Sequence, residues 1–84
     1  MRSKNIIGPK IRVARDSARI SQARLAARLQ VMGIKIDRSA IAKIETGRRP
    51  VSDIEIAAIA DILAVQLPWL FADSWTWFQQ VEVD

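Results

Sequence analysis

The sequence predicts an all-α fold, a compact bundle of about five short helices. Three observations predict it. Apolar residues recur at spacings of three and four, residues that cap helix N-termini precede these stretches, and glycine or proline separates them. The 84 residues are enough for one domain. We place this domain at residues 6–72, followed by an acidic, aromatic tail at residues 73–84.

The first two helices are predicted from their start signals. Gly8-Pro9 opens the first helix, since proline loses no hydrogen bond there, and the helix ends near Arg19. Ser21 caps the second helix, which ends near Met32. Its hydroxyl can accept a bond from a first-turn N–H.

The later helices have clearer boundaries. Asp37 caps a short third helix, and Gly47 ends it in the left-handed conformation. Ser52 and Glu55 form a capping box at the start of the fourth helix, and Pro68 starts a fifth short turn.

An apolar residue precedes three of these caps, and another follows five residues later. The pairs are Ile20 with Leu25, Ile36 with Ile41, and Val51 with Ile56. Such hydrophobic staples set the angle at which each helix begins, so we expect short helices packed at steep angles. The predicted core positions are Ile11, Ala14, Ala18, Leu25, Ala26, Leu29, Ile41, Ile44, Ile56, Ile59, Ala60 and Leu63.

Charge divides the chain into two halves. Residues 1–49 hold all 13 Lys and Arg and three acidic residues, a net charge of +10, whereas residues 50–84 hold six acidic residues and no basic one, a net charge of −6. This asymmetry directs one end of the molecule toward a polyanion such as nucleic acid. The alternative is a solvated surface whose charges happen to be segregated.

Composition argues against an enzyme, a metal site or a cofactor. The sequence has no cysteine, histidine or tyrosine, so the most common general base, metal ligand and thiol nucleophile are all missing. No apolar run is long enough to cross a membrane, and the N-terminus lacks the pattern of a signal peptide. We expect a cytoplasmic protein.

Two motifs carry a family resemblance. S-Q-x-x-L-A-x-x-L spans residues 21–29, and I-x-K-I-E-x-G-x-R spans residues 41–49. With Ile11-Arg12, Arg15 and the segment 59–63, they resemble the lambda-repressor-like (XRE/Cro type) helix-turn-helix DNA-binding domain from about residue 7 to 71. The resemblance implies that the third helix lies in the DNA major groove.

That placement identifies candidate DNA contacts. The outward residues of the third helix, Arg38, Ser39 and Lys43, would face base edges, and Arg38 could hold a guanine with its two-pronged guanidinium. The alternative is that Arg38 and Lys43 are only solvated. Candidate contacts to the DNA backbone are Gln22, Ser21, Arg24, Arg48, Arg49 and Arg15. For Arg24, simple exposure is an equal alternative.

Glu45 requires a partner. An acid near a helix C-terminus opposes the helix dipole, and near DNA it repels phosphate. The family pattern suggests Arg15, which would tie the first helix to the third as a structural ion pair. We therefore predict that Glu45→Ala destabilises the fold.

The chain departs from the family pattern at two places. The link from Val31 to Ile36 is longer than the usual turn before the third helix. Ala64 stands where such domains often have glycine, and an alanine at positive φ costs about 1 kcal/mol, so we expect the chain to turn differently there.

Aromatic residues crowd the C-terminal end. Trp69, Trp75, Trp77 and Phe78 either cover the small core or form an interface with a second copy or another protein. A homodimer would suit an inverted-repeat operator with half-sites about 34 Å apart.

The leading functional hypothesis is a transcription regulator that binds double-stranded DNA, most simply a phage, mobile-element or bacterial repressor. The alternatives are an antitoxin-like protein that also binds a partner, and an interaction module that no longer reads DNA. An RNA-binding role is weaker, because the basic half lacks aromatic residues that could stack on bases.

Overall fold

Local capping signals and apolar spacing produce five helices in the computed structural model, which describes residues 3–72. They are α1 (Gly8–Ser17), α2 (Gln22–Val31), α3 (Arg38–Glu45), α4 (Asp53–Leu63) and α5 (Leu67–Leu70). Among residues 3–72 there is no strand, so the predicted all-α class is confirmed. None of these helices is long and apolar enough to cross a membrane.

The predicted N-caps form as expected. The side-chain oxygens of Ser21, Asp37 and Ser52 each accept a hydrogen bond from the backbone N–H three residues later, at 3.0, 2.8 and 3.2 Å. Glu55 completes the capping box by accepting the Ser52 N–H at 2.9 Å. Each bond satisfies a first-turn group that has no partner inside the helix, so the starts of α2, α3 and α4 follow from local sequence.

The C-terminal ends of the first four helices share one backbone motif. Each is followed by a residue at positive φ: Arg19 (57°), Gly33 (83°), Gly47 (76°) and Ala64 (56°). The next residue in each case returns its N–H to a carbonyl five residues earlier, at 2.8 to 3.1 Å. This is the Schellman arrangement, which satisfies carbonyls of the last turn.

Two of these ends correct the sequence expectations. The chain does not turn differently at Ala64, because it adopts the left-handed conformation there without a glycine. The N–H of Val65, which packs against the core, then bonds to the Ala60 carbonyl at 3.0 Å. α1 ends at Ser17, two residues before the predicted end, because Arg19 is already left-handed. Tertiary packing outweighs the cost of a Cβ at positive φ.

The core lies between α1, α2, α3 and α4, and α5 closes it against α4. All the predicted core positions are buried except two. Ile56 is partly buried against the core, and Ala18 is exposed because α1 has already ended. Fully buried side chains beyond the predicted helical positions are Ile7, Ile36 and Leu70.

The long link between α2 and α3 is anchored at both ends. The Ile34 N–H returns to the Leu29 carbonyl at 3.0 Å, and the Gln30 amide donates to the Ile36 carbonyl at 3.2 Å. Ile36 is only 1% exposed. The buried Ile36 therefore fixes the end of the link directly before Asp37, the N-cap of α3.

Candidate nucleic-acid interface

α3 has one buried side and one polar, exposed side. Ile41 and Ile44 are fully buried, whereas Arg38, Ser39 and Lys43 are all exposed. The predicted base-reading residues therefore share the outer surface of one short helix. Within residues 3–72, none of these three side chains makes a hydrogen bond or an ion pair, so their polar groups can bind another molecule.

Beneath this surface, Glu45 is held by side chains from two other helices. Arg15 of α1 donates to it with Nε at 2.7 Å and with Nη2 at 3.1 Å, and Gln22 of α2 donates with Nε2 at 3.1 Å. The Glu45 side chain is 3% exposed and that of Arg15 is 11% exposed. The predicted pair is therefore present, and it joins α1, α2 and α3 at one carboxylate.

The third nitrogen of the Arg15 guanidinium, Nη1, is also engaged. Nη1 donates to the Ile20 carbonyl at 2.9 Å and lies 3.3 Å from an exposed carboxylate oxygen of Asp16. The hydrogen bonds with Glu45 raise the pKa of Arg15 above its ordinary value, although partial burial opposes this increase. Arg15 is therefore a charged structural tie in this arrangement.

The start of α2 adjoins the same carboxylate. Gln22 is half-buried, and its bond to Glu45 uses one of two amide N–H groups, leaving the second N–H and the amide oxygen for another ligand. The Ser21 hydroxyl oxygen is the N-cap acceptor and keeps its own proton to donate. The Arg24 side chain is exposed.

Arg48 and Arg49 are neighbours in sequence but have different surroundings. Arg48 is exposed, and its Nε donates to the Thr46 hydroxyl at 3.1 Å. Arg49 is half-buried and pairs with Glu55 of α4 through both Nη atoms, each at 3.1 Å. These hydrogen bonds raise the pKa of Arg49 and lower the pKa of Glu55. Arg49 therefore ties the loop after α3 to α4.

Sequence reasoning missed Asn5. Its Nδ2 donates to the Ile44 and Arg49 carbonyls, both at 2.9 Å, and its Oδ1 accepts the N–H groups of Ile7 and Gly8 at 3.2 and 2.7 Å. Asn5 thus caps the start of α1 and also binds the end of α3. An asparagine three residues before the Gly8-Pro9 start was a readable capping signal, but the distant bonds were not.

The aromatic residues lie only partly within residues 3–72. Trp69 is 36% exposed, and the Lys10 ammonium lies 4.4 Å from its ring centroid. Leu67 and Phe71 beside it are also exposed. Trp75, Trp77 and Phe78 lie outside the described residues, as does the whole predicted tail. Nor do residues 3–72 bring three possible metal-ligating side chains together.

One comparison with known proteins finds a match. A family model described as a helix-turn-helix domain matches residues 6–68. The matched range begins at the residue after Asn5 and ends within α5, so it includes α1 to α4, the Arg15–Glu45 and Arg49–Glu55 pairs and the exposed side of α3, but not Asn5. Neither the curated proteins nor the solved structures include a match to this chain.

Proposed function

Because this chain belongs to the helix-turn-helix domain family over residues 6–68, we propose that it binds double-stranded DNA in a sequence-specific manner and regulates transcription, most simply as a repressor. The observation that carries the proposal is the outer side of α3. Arg38, Ser39 and Lys43 are exposed there, while Glu45 below them is neutralised by Arg15 and braced by Gln22. In helix-turn-helix domains the second helix of the motif lies in the major groove with its N-terminal residues at the base edges, the position that α3 would take here.

The base-reading roles follow from side-chain chemistry. Arg38 stands at the first position of α3 and can donate two parallel hydrogen bonds to O6 and N7 of guanine. Lys43 lies five residues further along and reaches a base edge or a phosphate. Ser39 is short and both donates and accepts, so it adds less discrimination between bases.

We assign phosphate binding to the groups whose N–H or O–H donors are not already used in hydrogen bonds within the protein. The second Gln22 N–H, the Ser21 hydroxyl, Arg24 and Arg48 are available at the two ends of the α2–α3 unit. Such contacts position the protein on the duplex without reading sequence. Arg15 and Arg49 are committed to Glu45 and Glu55, and we assign them structural roles.

Selection from a random double-stranded library tests the proposal. The parent protein should retain a recurrent short motif containing guanine. Arg38→Lys keeps the charge but loses the two-pronged donor, so it should lose the guanine preference while binding random DNA as the parent does. Lys10→Ala, at the Trp69 ring, is the control and should select the parent motif. Absence of any motif with the parent would overturn sequence-specific binding.

A second candidate function is favoured by α5. Leu67, Trp69 and Phe71 are exposed on or just after a four-residue helix, and large apolar side chains in a cluster mark protein interfaces. A homodimer, or an antitoxin-like complex with another protein, would use this surface. Light scattering of the parent and of Trp69→Ser separates them. A dimer that dissociates in the variant supports self-association, whereas a monomeric parent leaves a different protein as the partner.

A further inference from the structure

The N-terminal strap, residues Ser3–Asn5, lies against the end of α3 and the loop that follows. The Lys4 backbone N–H donates to the Gly47 carbonyl at 2.7 Å. Gly47 has no side chain, and a Cβ built there would run into the Ser3 hydroxyl. The strap therefore packs closely on a glycine that the end of α3 already requires for its positive φ.

Asn5 fixes the strap independently of Lys4's side chain. Its amide makes four hydrogen bonds, two of them to the carbonyls of Ile44 and Arg49, residues 39 and 44 positions away in sequence. Both polar atoms of the Asn5 side chain, Nδ2 and Oδ1, are thus engaged in hydrogen bonds. The strap is held by backbone groups and by Asn5, which leaves the Lys4 side chain available for another purpose.

The Lys4 side chain is exposed, and its backbone is bonded to the residue that precedes Arg48. Arg48 is exposed too, and its bond to Thr46 uses only Nε, so both Nη groups remain available. The backbones of two exposed cationic residues from opposite ends of the basic half, Lys4 and Arg48, therefore lie close together at the end of α3. Their approach is invisible in the sequence.

Stabilisation of the α3 C-terminus does not by itself require these charges. The Lys43 and Ile44 carbonyls accept the Arg48 and Gly47 N–H groups at 2.8 and 3.0 Å, and Asn5 adds a second bond to Ile44. These two carbonyls of the last turn are thus satisfied by the backbone and one amide. Two exposed cationic residues whose backbones lie close together, beside satisfied carbonyls, are suited to binding an external anion.

We propose that the strap is part of the DNA-binding surface: Lys4 contacts a backbone phosphate beside Arg48, and Asn5 is the positioning residue that places it there. This inference rests on the proposed DNA-binding function and adds a contact that neither motif contains. It makes the phosphate-binding surface discontinuous in sequence, with one part before α1 and the other after α3. The contact would position the protein without discriminating between bases.

The experiment measures affinity by fluorescence anisotropy over a range of salt concentrations, with a selected duplex and a scrambled one. Lys4→Ala should weaken binding about three- to tenfold near 0.1 M salt on both duplexes, and should reduce the slope of log K against log salt by about 0.9. Lys10→Ala removes the same charge beside Trp69 and should keep the parent slope. Lys4→Arg should bind like the parent.

Asn5→Ala tests positioning. It should reproduce the Lys4→Ala loss, and the double variant should lose no more than either single variant, because both remove one contact. Circular dichroism reports whether Asn5→Ala is folded; if it is not, the Lys4 variants decide the matter alone. A Lys4→Ala protein with the parent's slope and affinity would overturn the inference. A parent that binds neither duplex would overturn the proposed function, and this inference with it.

Discussion

Glu45→Gln tests the carboxylate that joins three helices. The substitution preserves the size of the side chain, so it leaves no cavity and reports the loss of charge. In the parent, Glu45 accepts two bonds from Arg15, at 2.7 and 3.1 Å, and a third from Gln22 at 3.1 Å. After the change, a guanidinium that is largely shielded from solvent has no buried counter-charge.

The magnitude follows from burial. Breaking a buried ion pair by removing one partner costs roughly 3–5 kcal/mol. Arg15 keeps its bond to the Ile20 carbonyl and its contact with Asp16, so the lower end applies, about 3 kcal/mol. For a domain of this size, that change lowers Tm by about 12–24 °C.

Urea unfolding followed by circular dichroism measures the loss as a lower midpoint with an unchanged m-value. Asp16→Asn is the matched control, because its 59% exposed side chain is the other carboxylate beside Arg15. It should change the free energy of unfolding by less than about 0.5 kcal/mol. Combining Glu45→Gln with Arg15→Met should recover much of the loss. A Glu45→Gln protein no less stable than Asp16→Asn would refute the reasoning.

Three other substitutions follow from local geometry. Ala64→Gly should raise the free energy of unfolding by about 1 kcal/mol in urea titrations, because φ is 56° there; equal stability would show that the alanine is not strained. Gly8→Ala should lower it by roughly 2 kcal/mol, since a Cβ would run into the Ile44 carbonyl oxygen; a variant with an unchanged midpoint would contradict that contact. The hydrogen bonds with Arg49 lower the pKa of Glu55, so their stabilisation is present above the unfolded carboxyl's pKa of about 4.3 and is lost as the pH falls through the lower folded value. Glu55→Gln should therefore be destabilising at about pH 6, with a smaller difference from the parent at about pH 3; an equal difference at both pH values would contradict this.

Arg48 and Arg49 differ in which of their N–H groups remain available to bind DNA. Both were expected to contact the DNA backbone, yet only Arg48 has its Nη groups available. The side chain of Arg49 is hydrogen-bonded to Glu55 of α4, and Glu55 also belongs to the capping box of that helix. The backbone of Lys4, a second exposed cationic residue, is bonded to Gly47, the residue before Arg48.

Sequence alone determined the features that depend on near neighbours. The caps at Ser21, Asp37 and Ser52 need only a backbone N–H three residues away, so the helix starts could be predicted. The burial of Ile41 and Ile44 follows from the period of the α-helix in the same way. Arg15–Glu45 was predictable at longer range only because the family pattern supplied the partner.

Only the tertiary structure decided the features that depend on distant groups. Arg19 and Ala64 adopt positive φ although neither is a glycine, because the packing of the following residue outweighs a local cost of about 1 kcal/mol. Asn5 reaches carbonyls 39 and 44 residues away only once α1 lies across the end of α3. A local preference acts within one turn of the chain, whereas a bond between distant groups forms only after packing has brought them together.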